Sequence, residues 1–304
     1  MTWTIEARHW VLLIFIASAL YQHFRGRVRF GITRALVDFT VLIAPVNALM
    51  YLFSKIPAGA FIDRKYFPEM NLLNENWQVI RDEMVALVRE GDVKAADGYT
   101  DIGYNSFFRS GWQRFHLVWY GKEMPSAIQK CPKTLALLKS IPSVKAAMFA
   151  SLPPGATLNV HRDPYAGSLR YQLGLVTPND DLCFIEVDGQ RYSWRDGQSV
   201  IFDETYVHYA ANQTNQQRYV LFCDVERPVW TSVVRWLNRL FGRIVLSQAA
   251  SQNNQSEGLG FLNHIFEFLY KIRLFGKRLK TYNRTLYYAV KWSLILAILW
   301  LIFR

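Results

Sequence analysis

The feature that most constrains the fold is a pair of polar residues two positions apart, followed much later by a third. His161 and Asp163 form the pair, and His208 is the distant residue. On an extended strand, residues two apart point to the same face. Two imidazoles and one carboxylate on one side of a metal form the facial triad of non-haem Fe(II) oxygenases, which leaves coordination positions open. The pattern therefore predicts a metal site in which a neighbouring strand brings His208 to the first pair.

Two arginines follow the histidines at similar distances. Arg170 lies in a segment, residues 168–175, whose apolar residues alternate strictly with Arg170 and Gln172, which predicts a strand. Arg218 opens a second strand-like run after His208. A buried arginine is costly unless it meets an anion, and its guanidinium matches a carboxylate with two parallel hydrogen bonds. We expect a dicarboxylate that chelates the metal at one end and meets Arg218 at the other.

The alternative for Arg218 is a structural ion pair. Asp203 and Asp224 are the acidic residues that could take it, and the spacing alone does not decide between these two roles.

Short strands separated by turn residues dominate the middle of the chain. Residues 182–187 and 190–194 alternate around Asp188-Gly189, a dipeptide typical of a two-residue hairpin turn. A helical pattern precedes them in residues 73–90. We therefore predict an α+β chain with a double-stranded β-helix core of the jelly-roll or cupin type, flanked by N- and C-terminal membrane-associated helices.

The sequence resembles the aspartyl/asparaginyl β-hydroxylase family of Fe(II)/2-oxoglutarate dioxygenases, and within it the bacterial lipid A 2-hydroxylase branch. The resemblance covers roughly residues 64–230. Its firmest parts are Pro154-Gly155, His161-Arg162-Asp163, Arg170 to Leu175, Val200 to Glu204, His208 and Arg218.

The resemblance implies a role for each candidate site residue. His161 and His208 would bind Fe(II), with Asp163 as the third ligand, and Arg218 and Arg170 would hold 2-oxoglutarate. Two further residues complete the implied cosubstrate site: Gln172 stands where many members carry a histidine that touches the cosubstrate, and Ser151 is the candidate for the cosubstrate-binding serine before the Pro-Gly turn.

Charge and apolar residues concentrate at the two ends of the chain. The formal net charge is +11, and the basic residues cluster beside apolar segments, which indicates an anionic membrane surface as partner. No nucleic-acid-binding motif is present, and the three cysteines have no metal-binding spacing.

Three apolar segments predict how the chain meets a membrane. Residues 10–21 read as an N-terminal span, with a signal peptide as the alternative, and residues 286–303 read as a C-terminal span. Residues 36–53 are expected to lie in or re-enter the inner leaflet, with a full span or a buried core helix as alternatives. Residues 233–244 and 261–275 read as amphipathic helices, the first with arginines at four-residue spacing and the second followed by a basic cluster.

These segments divide the chain into three parts. We predict an N-terminal membrane anchor in residues 1–60, a jelly-roll dioxygenase domain in residues 61–230, and basic amphipathic helices with a C-terminal transmembrane helix in residues 231–304. The basic flank of the last helix favours a catalytic domain that faces the cytoplasm of a bacterium, at the inner membrane.

The residues and the resemblance together predict an Fe(II)/2-oxoglutarate-dependent dioxygenase that uses O2 to hydroxylate C-2 of a lipid A acyl chain. Lipid A or a related anionic lipid is the expected partner, with no nucleic acid and no obligate protein partner. Two alternatives stay open. One is the same chemistry on an aspartyl or asparaginyl side chain of a protein, and the other is a non-catalytic, membrane-bound, cupin-like metal sensor.

Overall fold

A computed structural model describes residues 7–35, 38–96 and 98–303 of the chain. Its strands are β1 (Gln113–Trp119), β2 (Lys122–Glu123), β3 (Val144–Leu152), β4 (Ser168–Val176), β5 (Cys183–Val187), β6 (Gln190–Ser193), β7 (Ser199–Phe202), β8 (His208–Asn212) and β9 (Arg218–Glu226). Its helices are α1 (Ala7–Phe24), α2 (Ile32–Ala35), α3 (Phe39–Leu42), α4 (Ala44–Leu52), α5 (Asn71–Glu75), α6 (Trp77–Glu90), α7 (Pro125–Lys130), α8 (Pro132–Lys139), α9 (Ser232–Ile244), α10 (Phe261–Tyr282) and α11 (Arg284–Phe303).

The strands form two antiparallel sheets. The larger has the order β2-β1-β3-β9-β4-β7, and the smaller has the order β6-β5-β8. All the pairings within them are antiparallel. The prediction of a chain that combines helices with antiparallel sheets is therefore confirmed.

Strand β4 shows how the larger sheet separates two cores. Leu169, Tyr171 and Leu173 point outward into a core that α5 to α8 cover, and all three are fully buried. Because side chains alternate along a strand, Arg170 and Gln172 point to the other face, toward the space between the two sheets. The β4–β9 register pairs Arg170 with Asp224, so this inner face combines charged and apolar groups.

The hairpin predicted from Asp188-Gly189 connects β5 to β6. Both residues have positive φ, 51° for Asp188 and 79° for Gly189. This is the conformation of the tight turn that matches the twist of two antiparallel strands, and it explains why an Asp-Gly pair stands here.

The N-terminal helices pack on the sheets. Ala44, Asn47 and Met50 of α4 are buried, and Asn47 Oδ1 accepts a hydrogen bond of 2.8 Å from the backbone N–H of Ala166. For residues 44–52 the structure thus favours the buried-helix alternative over a segment in the membrane leaflet. The predicted segment also includes residues 36–37, which lie outside the described residues.

The basic cluster after the first apolar segment is only partly a surface feature. Arg25 donates to Asp203, a residue between β7 and β8, and its side chain is 6% exposed. Arg227 donates to the same carboxylate at 2.8 Å. The basic residues beside the apolar segments were predicted to meet an anionic membrane surface. For Arg25 this prediction is wrong, because its guanidinium is buried in an ion pair with Asp203.

Over the residues that the structure describes, no helix has both the length and the apolar composition needed to cross a membrane. The predicted N- and C-terminal spans are therefore unsupported. Helix α1 instead buries the polar side chains Ser18 and Gln22. Gln22 Oε1 accepts a hydrogen bond of 3.2 Å from Asn47 Nδ2 of α4, so one face of α1 is shaped for protein contact.

Candidate metal centre

The three predicted ligands lie together between the two sheets. The backbones of His161 and His208 exchange two hydrogen bonds of 2.9 Å, and their imidazole rings are 4.2 Å apart. Asp163 Oδ1 lies 3.8 Å from His161 Nε2. One ligand atom from each residue falls within 4.8 Å of the others, a separation that a single metal ion can bridge.

Backbone carbonyls orient both imidazoles. His161 Nδ1 is 2.6 Å from the carbonyl of Asn159, and His208 Nδ1 is 2.9 Å from that of Tyr206. A carbonyl only accepts, so each Nδ1 carries the proton and each Nε2 offers its lone pair to the shared centre. Burial, reinforced by the neighbouring His161, lowers the pKa of His208 to about 3, which keeps its imidazole neutral and able to bind a metal.

The third ligand is held as an anion. Burial alone would raise the pKa of Asp163, but the charge of the Arg170 guanidinium outweighs this effect, and the pKa is lowered to about 2. Arg170 Nη2 donates to Asp163 Oδ2 at 2.8 Å, which leaves Oδ1 directed toward His161.

Arg170 is the centre of a buried cluster of carboxylates. Besides Asp163, it donates to Glu204 and lies with Nη1 2.7 Å from Asp224 Oδ1. Its guanidinium carbon also sits 3.7 Å from the centre of the Phe222 ring. Arg170 lines the cavity, but its guanidinium pairs with side chains of the protein, whereas the resemblance implied a contact with 2-oxoglutarate.

Arg218 is a buried cation that faces the same cavity. It is 2% exposed, and no acidic side chain of the described chain lies within ion-pair distance of it. Its Nε has no hydrogen-bond partner, and its guanidinium lies 4.4 Å from the Trp194 ring centre. Burial lowers the pKa of Arg218 to about 10. Asp203 and Asp224 are paired with other arginines, so the alternative of a structural ion pair for Arg218 is wrong.

A small cavity of about 40 Å³ is lined by the three ligands and by Arg218. Gln172 lines it and accepts a hydrogen bond of 3.0 Å from Trp194 Nε1. Its remaining walls are apolar or aromatic: Tyr104, Phe107, Trp112, Leu158, Ile185, Phe202, Ala210 and Phe222. A larger cavity of about 340 Å³ lies between α9 and the sheet, and none of the three ligands lines it.

Ser151 does not belong to this cavity. It lies on β3 opposite Tyr219, whereas its neighbour Leu152 lies opposite Arg218. Neighbouring residues of a strand point to opposite faces, so Ser151 faces away from Arg218 and the ligands. The predicted cosubstrate contact of Ser151 is therefore wrong, although its hydroxyl is fully buried and has no hydrogen-bond partner.

Two aromatic residues of the cavity wall are among those that were not predicted from the sequence. Tyr104 stacks on Trp112 with ring centres 4.9 Å apart, and Phe107 meets His161 edge-on at 4.7 Å. Both come from the irregular segment before β1, where no periodicity marks a face. The only signal is the density of aromatic residues in residues 99–112.

Two antiparallel sheets that enclose two imidazoles, one carboxylate and a buried arginine define a candidate non-haem metal site. The family model described as aspartyl/asparaginyl beta-hydroxylase matches residues 74–228, half of the chain. The chain belongs to this family of hydroxylases.

Two relatives illustrate what the chain is similar to. An ornithine lipid ester-linked acyl 2-hydroxylase of Rhizobium tropici is 34% identical over 204 residues, which are 66% of this chain and 72% of that protein. The human aspartyl/asparaginyl beta-hydroxylase is 28% identical over 164 residues, 52% of this chain and 21% of that protein. Among solved structures, a Pseudomonas putida prolyl-4-hydroxylase aligns with a TM-score of 0.34 and 18% identity over 51% of this chain and 88% of that one.

Proposed function

We propose that the chain is an Fe(II)- and 2-oxoglutarate-dependent dioxygenase that hydroxylates C-2 of an acyl chain on a membrane lipid. The observation that carries the proposal is Arg218, a buried cation without an anionic partner in the described chain, in one cavity with three metal-ligating side chains. A metal ligand set and a carboxylate receptor together match a dicarboxylate that bridges them.

The donor set fits Fe(II). Non-haem Fe(II) oxygenases bind iron through two imidazoles and one carboxylate. Here these ligands would be Nε2 of His161, Nε2 of His208 and a carboxylate oxygen of Asp163. When bound, the iron, with 2-oxoglutarate and O2, would supply the oxidising power to hydroxylate an unactivated C–H bond.

The protein residues would bind, orient and exclude water. Arg218 would pair with the distal carboxylate of 2-oxoglutarate, since a bidentate guanidinium–carboxylate contact repays the burial of both charges. Arg170 would keep Asp163 ionised and aimed at the metal. The aromatic walls, with Phe107 against His161, would keep water from the reacting centre.

The lipid substrate is supported by the name of the Rhizobium relative and by the apolar helices at the ends of this chain. Lipid A and ornithine-type lipids share ester-linked acyl chains on anionic or zwitterionic head groups, and either would present a C-2 position. We assign residues 61–230 to the dioxygenase domain. We place the chain at the cytoplasmic face of a bacterial inner membrane, where 2-oxoglutarate and Fe(II) are supplied.

The test is turnover by the purified full chain with Fe(II), 2-oxoglutarate and total lipid from a bacterium. We expect succinate release and a mass gain of one oxygen atom on an acyl chain, and lipid mass spectrometry tells lipid A from an ornithine lipid. His208→Ala is the control and should release no succinate. Succinate release with hydroxylation of an aspartyl peptide and of no lipid would favour a protein substrate, and metal binding without succinate release would favour a sensor.

A further inference from the structure

Helix α10 presents an apolar stripe to solvent. Exposed apolar side chains recur along it at spacings of three or four residues, which places them on one face of a helix. They are Phe261, Ile265, Phe268, Ile272 and Phe275, with exposed fractions from 38% to 68%. The residues of α10 that are buried, Asn263 and Tyr270, are seven positions apart on the opposite face. The stripe is therefore left without a partner in the described chain.

Cations flank this stripe. Lys271, Arg273, Lys277, Arg278 and Lys280 are all exposed. Glu267 is the single acidic residue of α10, and it pairs with Lys271 at 2.8 Å. Apolar side chains between flanking cations are complementary to a surface with an apolar interior and negative head groups, which is an anionic lipid bilayer.

The buried face of α10 contacts residues 98–111, a segment here called the cavity loop. The ring of Tyr270 stacks on that of Tyr99, with centres 3.9 Å apart and planes 25° from parallel. The hydroxyl of Tyr270 accepts a hydrogen bond of 2.7 Å from Arg109 Nη2. One side chain of α10 therefore contacts the loop near both of its ends.

The same loop forms one wall of the metal cavity. Asn263 of α10 adds a further contact, since its Oδ1 accepts a hydrogen bond of 2.8 Å from the backbone N–H of Ile102. Between these contact points the loop supplies Tyr104 and Phe107 to the cavity, and Phe107 lies against His161. Apart from the short 3-10 helix Phe107–Ser110, this loop has no regular structure, so its order depends on such contacts.

We infer that α10 docks on an anionic lipid bilayer and that Tyr270 transmits this docking to the cavity loop, so that the wall beside His161 is ordered on the membrane. The inference deepens the proposed function and rests on it for the lipid substrate. Burial of the stripe fixes α10, and α10 holds the loop through Tyr270 and Asn263. An acyl chain would then meet a completed apolar wall where it leaves the bilayer.

The docking step is tested with the full chain and vesicles of phosphatidylcholine with or without phosphatidylglycerol. Phe268→Asp charges the stripe at a residue that is 64% exposed, and Leu182→Asp is the matched control, 51% exposed outside the terminal helices. We expect Phe268→Asp to raise the lipid concentration for half-maximal sedimentation by about tenfold or more, and Leu182→Asp to change it less than about twofold. Equal effects of the two substitutions, or equal binding to vesicles without phosphatidylglycerol, would overturn the docking assignment.

The coupling step is tested by hydrogen exchange of the cavity loop. In the wild-type chain, anionic vesicles should slow the exchange of residues 98–111 by about tenfold. Tyr270→Phe keeps the stacked ring and removes the hydroxyl that Arg109 contacts, so it should bind vesicles normally and lose much of this protection. The coupling would be refuted if vesicles left the hydrogen-exchange rate of the cavity loop unchanged. It would also be refuted if vesicles protected the loop of Tyr270→Phe as strongly as that of the wild-type chain.

Succinate release without vesicles separates the two proposals. If the wild-type chain releases succinate but the loop ignores vesicles, the proposed chemistry stands and the coupling fails. If vesicles protect the loop but the wild-type chain releases no succinate, the membrane coupling stands and the proposed chemistry fails.

Discussion

Arg170 Nη2 lies 2.8 Å from Asp163 Oδ2, and this contact joins the candidate metal site to a buried cluster of carboxylates. Glu204 contacts the same Nη2, and Asp224 contacts Nη1 of this guanidinium. One cation thus pairs with Asp163 and Asp224, whereas burial raises the pKa of Glu204. The same cation sets the orientation of the Asp163 carboxylate that faces the histidines.

Arg170→Ala should therefore weaken both the fold and the metal site. Removing one partner of a buried charge pair costs about 3–5 kcal/mol, because the remaining charges stay buried without compensation. We expect a lower free energy of unfolding in urea and a weaker anaerobic affinity for Fe(II). Arg170→Lys should retain more of the free energy of unfolding but still weaken Fe(II) binding, since an ammonium group lacks the planar set of donors with which the guanidinium holds several carboxylates at once. A Lys variant with normal Fe(II) affinity and only a raised KM for 2-oxoglutarate would instead assign Arg170 to the cosubstrate.

Arg218→Lys should raise the KM for 2-oxoglutarate by roughly tenfold or more, because it keeps the charge and loses the bidentate contact. Fe(II) affinity should stay near the wild-type value, since Arg218 contacts none of the three ligands directly. Ser151→Ala is the matched control, because Ser151 is buried on the other face of the same sheet. An unchanged KM in Arg218→Lys, or a raised KM in Ser151→Ala, would speak against this cosubstrate site.

Arg25→Met should destabilise the chain by about 3 kcal/mol, because it breaks a buried ion pair with Asp203. Arg27→Met is the control from the same segment: Arg27 is exposed, so its loss should change stability by less than about 0.5 kcal/mol. Chemical denaturation measures both. Similar values for the two variants would contradict a structural role for Arg25.

The same ion pair predicts an acid dependence. Burial would raise the pKa of Asp203, but Arg227 and Arg25 outweigh it and lower the pKa. The stability that Asp203 contributes is therefore fully present above its unfolded pKa of about 3.9 and is lost as the pH falls toward the lower folded pKa. Arg25→Met should reduce this loss below pH of about 4, as followed by urea unfolding across the acid range. An identical acid dependence in both proteins would contradict the assignment.

The sequence predicted those parts of the site that local periodicity marks. The spacing of His161 and Asp163 and the alternation around Arg170 placed these residues on inward faces, and the structure brings them together with His208. The prediction for Ser151 was wrong because a shift of one residue along a strand moves a side chain to the other face of the sheet.

Features that depend on contacts between residues far apart in the chain could not be predicted from the sequence. Nothing local to Arg25 indicates that Asp203 compensates it, since the two are far apart in the chain. Tyr104 and Phe107 come from a segment without a repeat, so no face could be assigned to them. The terminal helices were predicted as membrane spans because they are apolar. That prediction did not consider that α1 buries the polar side chains Ser18 and Gln22 against the protein.

In the proposed reaction, one oxygen atom of O2 enters 2-oxoglutarate-derived succinate and the other enters a lipid acyl chain. The most direct test supplies isotopically labelled O2 to the full chain with Fe(II), 2-oxoglutarate and membrane lipid. We predict one labelled oxygen atom in succinate and one in a hydroxyl group at C-2 of an acyl chain, with neither product in His208→Ala. Labelled succinate without a labelled lipid would contradict the proposed substrate, and the absence of label from both products would contradict the proposed chemistry.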